Sequence, residues 1–295
     1  MISLSIIIVS FNTKDITKKC LLSLKNNFIK YPVDHEIIVV DNDSRDGTVE
    51  FLSDLEKKEK NIRIFLNKKN LGYGRGNNIG LQKSKGKYIL YLNSDAIITD
   101  IDFRDLINLM EMKKEIGALT VKVVLPTGEI DPASHRGFPT LWRSFTYFFG
   151  LEKLFFSIPF LNKIFGGYHL VNLNLNNIHE VDVITGAFLL TRREIVDKFG
   201  GFDEDYFAYG EDIEMAYQIK KLGYKIIYYP LWKVLHIKSV SGLKKKGNVM
   251  IRKKTSAYFY DSMKIFYRKH YAIDHNWLTN KLVYLAIDIK KNINK

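Results

Sequence analysis

The chain has 295 residues, of which 46% are hydrophobic and 13% aromatic, and it carries a formal charge of +13 at pH 7. This suffices for one large domain with a sizeable core, and the single cysteine, Cys20, excludes an intrachain disulfide framework. The charge admits nucleic acid, an anionic membrane surface or a phosphorylated small substrate as a partner. No uncharged apolar run approaches the roughly 20 residues that span a bilayer, so we expect a cytoplasmic protein, soluble or peripheral to the membrane.

Strands and helices alternate in the first third of the chain. Apolar runs of strand length occupy Leu4–Ser10, residues 36–40 and Ile62–Leu66. Between these runs, apolar residues recur at helical spacing. The alternation predicts an α/β sheet of parallel strands with right-handed crossovers.

The next apolar run, residues 87–92, stops abruptly on Asn93, Ser94 and Asp95. It predicts a buried strand that delivers an acid to the carboxyl edge of the sheet, where open α/β sheets bind ligands. A simple turn is the alternative.

Glycines 72, 74 and 76 precede that strand and suggest a phosphate-binding loop. The dinucleotide fingerprint needs a further glycine where the chain has Asn77, and no Gly-Lys-Ser or Gly-Lys-Thr follows. Both nucleotide-binding patterns are therefore excluded.

The middle of the chain predicts a helix at residues 103–110, followed by strands at 118–125, from 130 onward and at 181–190. Residues 138–170 are rich in Phe, Tyr, Leu and Ile. That composition is compatible with buried helix or with an exposed apolar surface, and the sequence does not distinguish them.

A strand is predicted at residues 225–229, and a domain boundary follows near Ser241 and Gly242. It separates a domain of residues 1–240 from a basic, aromatic extension of residues 241–295. Apolar spacing predicts two amphipathic helices in the extension, at residues 258–271 and 277–289.

Four motifs occur in order: DNDSRDGT at 41–48, NLGYGRGNN at 70–78, LNSDA at 92–96 and GGFDEDYFAYGEDIE at 200–214. With them the chain resembles the family 2 inverting glycosyltransferases of the GT-A fold, and more narrowly their rhamnosyltransferase-like branch. The resemblance covers about residues 3–241. It implies a Rossmann-like, mixed but mostly parallel sheet flanked by helices, with a C-terminal helical extension.

The resemblance also implies a site for a nucleotide diphosphate sugar. In the family, the end of the first strand and the acid after the second strand hold the nucleoside. The residues that match this site are Ser10, Asn12, Asp41, Asp43, Arg75, Asn78, Asn93, Ser94 and Gly186. A turn or helix-dipole role for Asp41 and a solvent-facing Arg75 are the alternatives.

Asp95 matches the acid of the family's metal motif, whereas Asn93 stands where the motif has its first acid. Mg²⁺ or Mn²⁺ takes oxygen ligands from one or two carboxylates and from substrate phosphates, so Asp95 can suffice. His236 sits where some members supply a further ligand; a structural histidine is the alternative.

The segment from Gly210 to Glu214 carries the catalytic acids by resemblance. The family's base, which takes a proton from the acceptor hydroxyl, corresponds to Asp212. Glu211 is expected to raise its basicity and to help hold the acceptor. Gly201 and Asp203 are expected on the acceptor side, and Glu214 in a structural role at the helix start.

The sequence therefore predicts an inverting, metal-assisted glycosyltransferase in surface-polysaccharide or cell-envelope synthesis. The resemblance favours dTDP-rhamnose as donor over a UDP-hexose, and a glycan or lipid-linked saccharide as acceptor. A non-catalytic protein that binds nucleotide or a polyanion is the alternative. Nucleic acid is not expected, because no motif for it is present.

The aromatic stretch and the basic C-terminal region together predict contact with the anionic cytoplasmic face of a membrane. A core or dimer contact is the alternative use of the aromatic stretch. The sequence leaves the oligomeric state open.

Overall fold

The computed structural model describes residues 2–238 and 249–293. The predicted boundary at Ser241 and Gly242 lies outside the described residues. The division into two domains therefore stays a prediction.

The first four strands form the parallel half of the sheet, in the order β3-β2-β1-β4. The side chains of β1, β2 and β4 are mostly apolar and almost all buried, as continuous runs of Ile, Val and Leu require in a sheet covered on both faces. The edge strand β3 is only partly buried. The elements are β1 (Leu4–Ser10), α1 (Lys14–Lys30), β2 (His35–Asp41), α2 (Thr48–Lys58), β3 (Ile62–Leu66), α3 (Tyr73–Lys83) and β4 (Tyr88–Leu92).

The sheet continues through β8, β6, β9 and β5, with β7 added on β9. Here β4 and β6 pair antiparallel with β8, whereas β6 and β9 pair parallel. The elements are β5 (Ala96–Asp100), α4 (Phe103–Met112), β6 (Ile116–Val124), α5 (Leu141–Phe148), α6 (Leu151–Leu154), α7 (Pro159–Phe165), β7 (His179–Val181), β8 (Phe188–Arg192), α8 (Arg193–Val196), α9 (Glu211–Lys221), β9 (Lys225–His236), α10 (Val249–His270) and α11 (Trp277–Ile293). The mixed sheet with flanking helices and C-terminal helices confirms the expected fold class.

The structure corrects three strand predictions: those at residues 181–190, from residue 130 onward, and at residues 225–229. Residues 181–190 are two strands with different partners, because Val183 turns to pair with Arg136 and the chain leaves the sheet through Gly186. From Ile130 onward there is only a single bridge, after which Asp131 caps a short turn of 3₁₀ helix.

The strand predicted at residues 225–229 runs on to His236. Its ladder with β6 skips residues 230–232, a bulge that accommodates Pro230, which has no N–H to donate. This extension carries the chain to the carboxyl edge of the sheet. The position of His236 depends on it.

A short strand that the sequence did not predict, β5, follows Asp95 directly. It pairs antiparallel with β9 and places Ala96 opposite His236. The pairing brings Asp95 and His236 together from positions 141 residues apart in the sequence.

The C-terminal helices pack against the rest of the fold through polar contacts. His270 of α10 contacts Glu214 of α9, with 2.6 Å between Nε2 and Oε2. The Lys269 ammonium pairs with Asp203 and Asp205. These contacts place α10 beside the start of α9. In the part of the chain that is described, no helix is both long and apolar enough to cross a membrane.

Much of the aromatic stretch at residues 138–170 is exposed. Trp142, Phe149 and Phe160 are 49%, 67% and 72% accessible, on or beside helices α5 to α7. The structure therefore favours the exposed apolar surface over the buried helix.

Candidate active site

Polar side chains meet where β1 and β2 end. The carboxylate of Asp41 is buried and accepts hydrogen bonds from the Ser10 hydroxyl at 2.8 Å and from the backbone N–H of Ser44 at 2.8 Å. Asn12 accepts from the backbone N–H of Arg45 at 2.7 Å. Asn12 and Asp43 both have positive φ, 52° and 67°. Hydrogen bonds thus join the segments that follow β1 and β2, and these segments contain four of the residues predicted to bind the nucleotide.

Arg75 and Asn78 lie on α3 and contact the segment after Gly200. The guanidinium of Arg75 pairs with Glu204 at 2.7 Å, and its side chain is 51% accessible. Asn78 is buried; it donates to the carbonyl of Phe202 and accepts from the N–H of the same residue. Both residues make structural contacts at this position, and a nucleotide role for them stays a prediction.

Gly201 and Asp203 belong to the same neighbourhood. A Cβ on Gly201 would lie 2.4 Å from the side-chain oxygen of Asn78, and the Asp203 carboxylate pairs with Lys269. Neither residue lines the cavity described below. Their predicted acceptor role is not supported by any contact with that cavity, and it stays a prediction.

His236 is held between two buried carboxylates. Its Nδ1 lies 3.0 Å from Asp131 Oδ2, and its Nε2 lies 3.2 Å from Asp95 Oδ1. The Lys238 ammonium contacts the other oxygen of Asp131 at 2.8 Å. Burial lowers the pKa of His236, but the hydrogen bonds to Asp131 and Asp95 outweigh it and raise that pKa to about 9.

Two oxygens at this point have no hydrogen-bond partner within the described residues: Oδ2 of Asp95 and Oδ1 of Asn93, both buried. The Asn93 amide nitrogen lies 3.4 Å from His236 Nε2, so all three side chains converge. Unpartnered buried oxygens beside a histidine nitrogen fit a divalent cation. No group of three His, Cys, Asp or Glu side chains able to hold a metal occurs among the described residues. A bound ion would take further ligands from Asn93 or from substrate.

Gly186 lines the cavity, whereas Ser94 does not. Ser94 lies half-buried in the turn between β4 and β5. The Tyr73 hydroxyl donates to the carbonyl of Gly186 at 3.0 Å, and a Cβ on Gly186 would lie 2.9 Å from that hydroxyl oxygen. Glycine at this position keeps the backbone open beside Tyr73.

The carboxylate of Asp212 is fixed at both oxygens in the first turn of α9. Oδ2 accepts from the Arg136 guanidinium at 2.6 Å, and Oδ1 accepts from the N–H of Ile213 at 2.8 Å. The side chains of Arg136 and Asp212 are only 12% and 14% accessible. Arg136 therefore orients this carboxylate.

Glu211 is the acid whose pKa is raised. Burial, and after it the charge of Asp212, raise the pKa of Glu211 to about 8. Its Oε2 is buried without a hydrogen-bond partner in the described part of the chain. Tyr73, Tyr209 and Arg136 are the other ionisable groups that interact with it. A substrate hydroxyl at this position would supply the missing hydrogen bond.

Glu214 makes only structural contacts. It is 2% accessible and interacts with the Tyr206 hydroxyl, Gln218 and His270 at 3.1, 2.7 and 2.6 Å. The acidic residues in the first turn of α9 thus lie in two different environments. Glu211 and Asp212 line the cavity, and Glu214 joins α9 to α10.

A cavity of about 1530 Å³ unites most of these groups. Asn93, Gly186, Glu211, Asp212 and His236 all contribute to its wall. The Ser10 and Asp41 cluster is not part of this wall. That cluster and Asn93 lie at the same carboxyl edge of the sheet, because β1 pairs parallel with both β2 and β4.

Sequence reasoning missed three residues of the site: Asp131, Arg136 and Tyr73. Asp131 and Arg136 precede the aromatic stretch outside any motif, and no local pattern identifies them. Tyr73 lies within the second motif, where the glycines around it gave the only available indication.

Residues 5–199 match the profile of glycosyl transferase family 2. The N-acetylglucosaminyl-diphospho-decaprenol L-rhamnosyltransferase of Mycobacterium tuberculosis is 26% identical over 216 residues, which are 70% of this chain and 67% of the relative. Rhamnosyltransferase WbbL of Escherichia coli is 26% identical over 241 residues, 78% of this chain and 82% of the relative. Other relatives are longer: the chain spans 21% of one of them.

Among solved structures, the mannosyltransferase PcManGT of Pyrobaculum calidifontis, in complex with GDP-Man and Mn²⁺, superposes with a TM-score of 0.58 at 15% identity. The superposition covers 90% of this chain and 64% of that one. At this identity the likeness is one of fold, and it confirms the GT-A architecture.

Proposed function

Because this chain belongs to glycosyl transferase family 2 and is a rhamnosyltransferase-like glycosyltransferase, we propose that it catalyses an inverting single displacement on a nucleotide diphosphate sugar. The observation that carries the proposal is the shared cavity wall: the catalytic acids Glu211 and Asp212 face the same space as Asn93, Gly186 and His236. A donor sugar beside Gly186 and an acceptor hydroxyl beside Asp212 would meet there.

The nucleoside is proposed to bind at the ends of β1 and β2. Hydrogen bonds fix the orientation of Asp41 and Asn12. The Asp41 carboxylate accepts from the Ser10 hydroxyl and from the N–H and hydroxyl of Ser44, which leaves one lone pair on Oδ1 for a ribose or base donor. The two rhamnosyltransferase relatives favour dTDP-rhamnose as donor, and a UDP-hexose is the alternative.

Asp212 is proposed as the general base. The acceptor hydroxyl would attack the sugar carbon on the face opposite the diphosphate while Asp212 takes its proton. Arg136 holds the carboxylate in one orientation, which lowers the entropic cost of reaching that geometry. Glu211, neutral below about pH 8, is proposed to hydrogen-bond the acceptor.

Asp95 and His236, with Asn93 beside them, are proposed to hold Mg²⁺ or Mn²⁺. The ion would replace the proton on His236 Nε2, because only the neutral imidazole ligates a metal. Such an ion supplies Lewis-acid stabilisation of the departing diphosphate. The PcManGT complex contains Mn²⁺. Asp131 would keep His236 oriented with Nε2 towards the ion.

Calorimetry with dTDP and with UDP, each with Mn²⁺ and with a chelator, tests the donor and metal sites. We expect one nucleotide to bind tightly and only with metal. Asp95→Asn should abolish the metal-dependent binding of the nucleotide. Asp102→Asn, which alters a cap on α4, should bind the nucleotide as the wild type does. Failure of both nucleotides to bind would refute the donor site.

We also propose peripheral contact with anionic membranes. The exposed aromatic residues of α5 to α7 and the exposed apolar residues of α11, such as Trp277 at 71% and Ile293 at 73%, would meet the bilayer interface. Co-sedimentation with phosphatidylglycerol liposomes at low salt checks this. Absence of the protein from the pellet would contradict it.

A further inference from the structure

The cavity is larger than a sugar transfer site requires. Its volume of about 1530 Å³ exceeds the roughly 300–1,000 Å³ usual for small-ligand pockets, and it does not include the Ser10 and Asp41 cluster. The space beyond the catalytic acids is therefore left for something other than the donor.

Two kinds of side chain line the cavity. The polar ones include Asn93, Arg136, Glu211, Asp212 and His236. The apolar ones come from three helical segments: Phe145, Phe148 and Phe149 in or next to α5, Met263 and Phe266 of α10, and Leu282, Val283, Ala286 and Ile289 of α11. We call the part of the cavity that these apolar side chains line the apolar chamber. We propose that the chamber binds the hydrocarbon chain of a lipid-linked acceptor, so that its saccharide reaches Asp212.

Several chamber residues are accessible to solvent. Phe145, Phe149, Leu282 and Ile289 line the cavity and are 46%, 67%, 57% and 50% accessible. Residues that serve a closed core would be buried, since each exposed apolar side chain forgoes burial free energy. The chamber is thus accessible space and not a sealed core, so a hydrocarbon chain can occupy it.

Polar contacts join the three helices that line the chamber. Lys264 pairs with Asp288 and Lys291 with Asp261, which joins α10 to α11. The Lys290 ammonium donates to the carbonyl of Phe148 at 3.1 Å, which joins α11 to α5. The apolar faces between these contacts are left for a ligand that needs no hydrogen bonds, such as an isoprenoid or alkyl chain.

This inference rests on the proposed function for its acceptor, but its test does not need sugar transfer. Binding of farnesyl phosphate and of isopentenyl phosphate is measured by calorimetry below the micelle-forming concentration. The two probes share a head group and differ in chain length. We expect farnesyl phosphate to bind at least about tenfold more tightly, because each buried methylene contributes about 0.8 kcal/mol.

Ala286→Trp fills the chamber and should remove that difference, and Val283→Asn, which places an amide in the chamber wall, should reduce it. Leu285→Trp is the matched control, because Leu285 lies on α11 at 53% accessibility and does not line the cavity. It should bind both probes as the wild type does. Circular dichroism and the melting temperature report folding of each variant.

Equal affinity of the wild type for the two probes would overturn the proposal. So would a chain-length preference that Ala286→Trp and Val283→Asn both leave intact, because the chain would then sit on the outer surface. A protein that binds farnesyl phosphate but no nucleotide would refute the proposed function and keep the chamber. The reverse result would refute the chamber alone.

Discussion

Replacing Asp212 by Asn separates the proposed base from its structural neighbours. The substitution keeps the side-chain shape and one oxygen for Arg136, but it removes the charge that takes up the acceptor proton. We expect turnover to fall by about 10²–10⁴-fold, the usual contribution of a general base, equivalent to about 3–5.5 kcal/mol of activation free energy.

The same substitution also has a stability cost. Arg136 and Asp212 are 12% and 14% accessible and lie 2.6 Å apart, so the guanidinium loses a nearly buried partner. A weakened hydrogen bond to a buried charged group costs about 1–3 kcal/mol. This loss lowers the melting temperature but leaves the protein folded, so at 20–25 °C it does not account for the loss of turnover.

Glu214→Gln is the matched control, since Glu214 occupies the same helical turn and contacts His270 rather than the cavity. We expect its melting temperature to fall while its turnover stays within about twofold of wild type. The assay measures sugar transfer or donor hydrolysis, with calorimetric nucleotide binding as the check on folding. Unchanged turnover in Asp212→Asn, or a larger turnover loss in Glu214→Gln, would refute the assignment of the base.

Two further predictions concern the neighbouring buried groups. The pKa of Glu211 is raised from 4.5 to about 8, so its contribution to stability is complete below about pH 4.5 and is lost as pH rises towards 8. Glu211→Gln should therefore raise the melting temperature relative to wild type by several degrees at about pH 9 and by much less at about pH 5; an equal difference at both pH values would contradict this. Asp131→Asn should weaken Mn²⁺ binding by about 10–100-fold, measured by the electron paramagnetic resonance of free Mn²⁺, because the second carboxylate on His236 orients its ring. Asp102→Asn should leave Mn²⁺ affinity unchanged, and equal affinity in both variants would remove the orienting role of Asp131.

The local pattern of apolar residues was sufficient to predict the strands in the N-terminal half of the fold. The apolar runs at Leu4–Ser10 and Ile62–Leu66 became strands with those bounds. A buried parallel strand such as Leu4–Ser10 leaves a continuous apolar run whatever its neighbours are. The motifs were sufficient for the family, since glycines and acids at fixed spacing report backbone and ligand requirements. The motif residues Asp41 and Asp95 accordingly lie at the ends of β2 and β4, at the carboxyl edge of the sheet.

Pairing across the sheet was not visible in the sequence. The strand at Ala96–Asp100 is short and follows a polar turn, and the extension of β9 past Pro230 depends on a bulge against β6. Neither has a local signature, because each is stabilised by a partner strand far away in the chain. The meeting of Asp95 with His236 follows from that pairing.

The sequence alone thus determined the fold class and the family, and it predicted the acids of the site. The tertiary structure decided which groups surround those acids: Arg136 on Asp212, Asp131 on His236, and an apolar chamber beyond them. The physical reason is that charge pairing and burial depend on distances between segments that the chain order does not fix. Hydrophobic periodicity and motif spacing are properties of a single segment, so the sequence alone shows them.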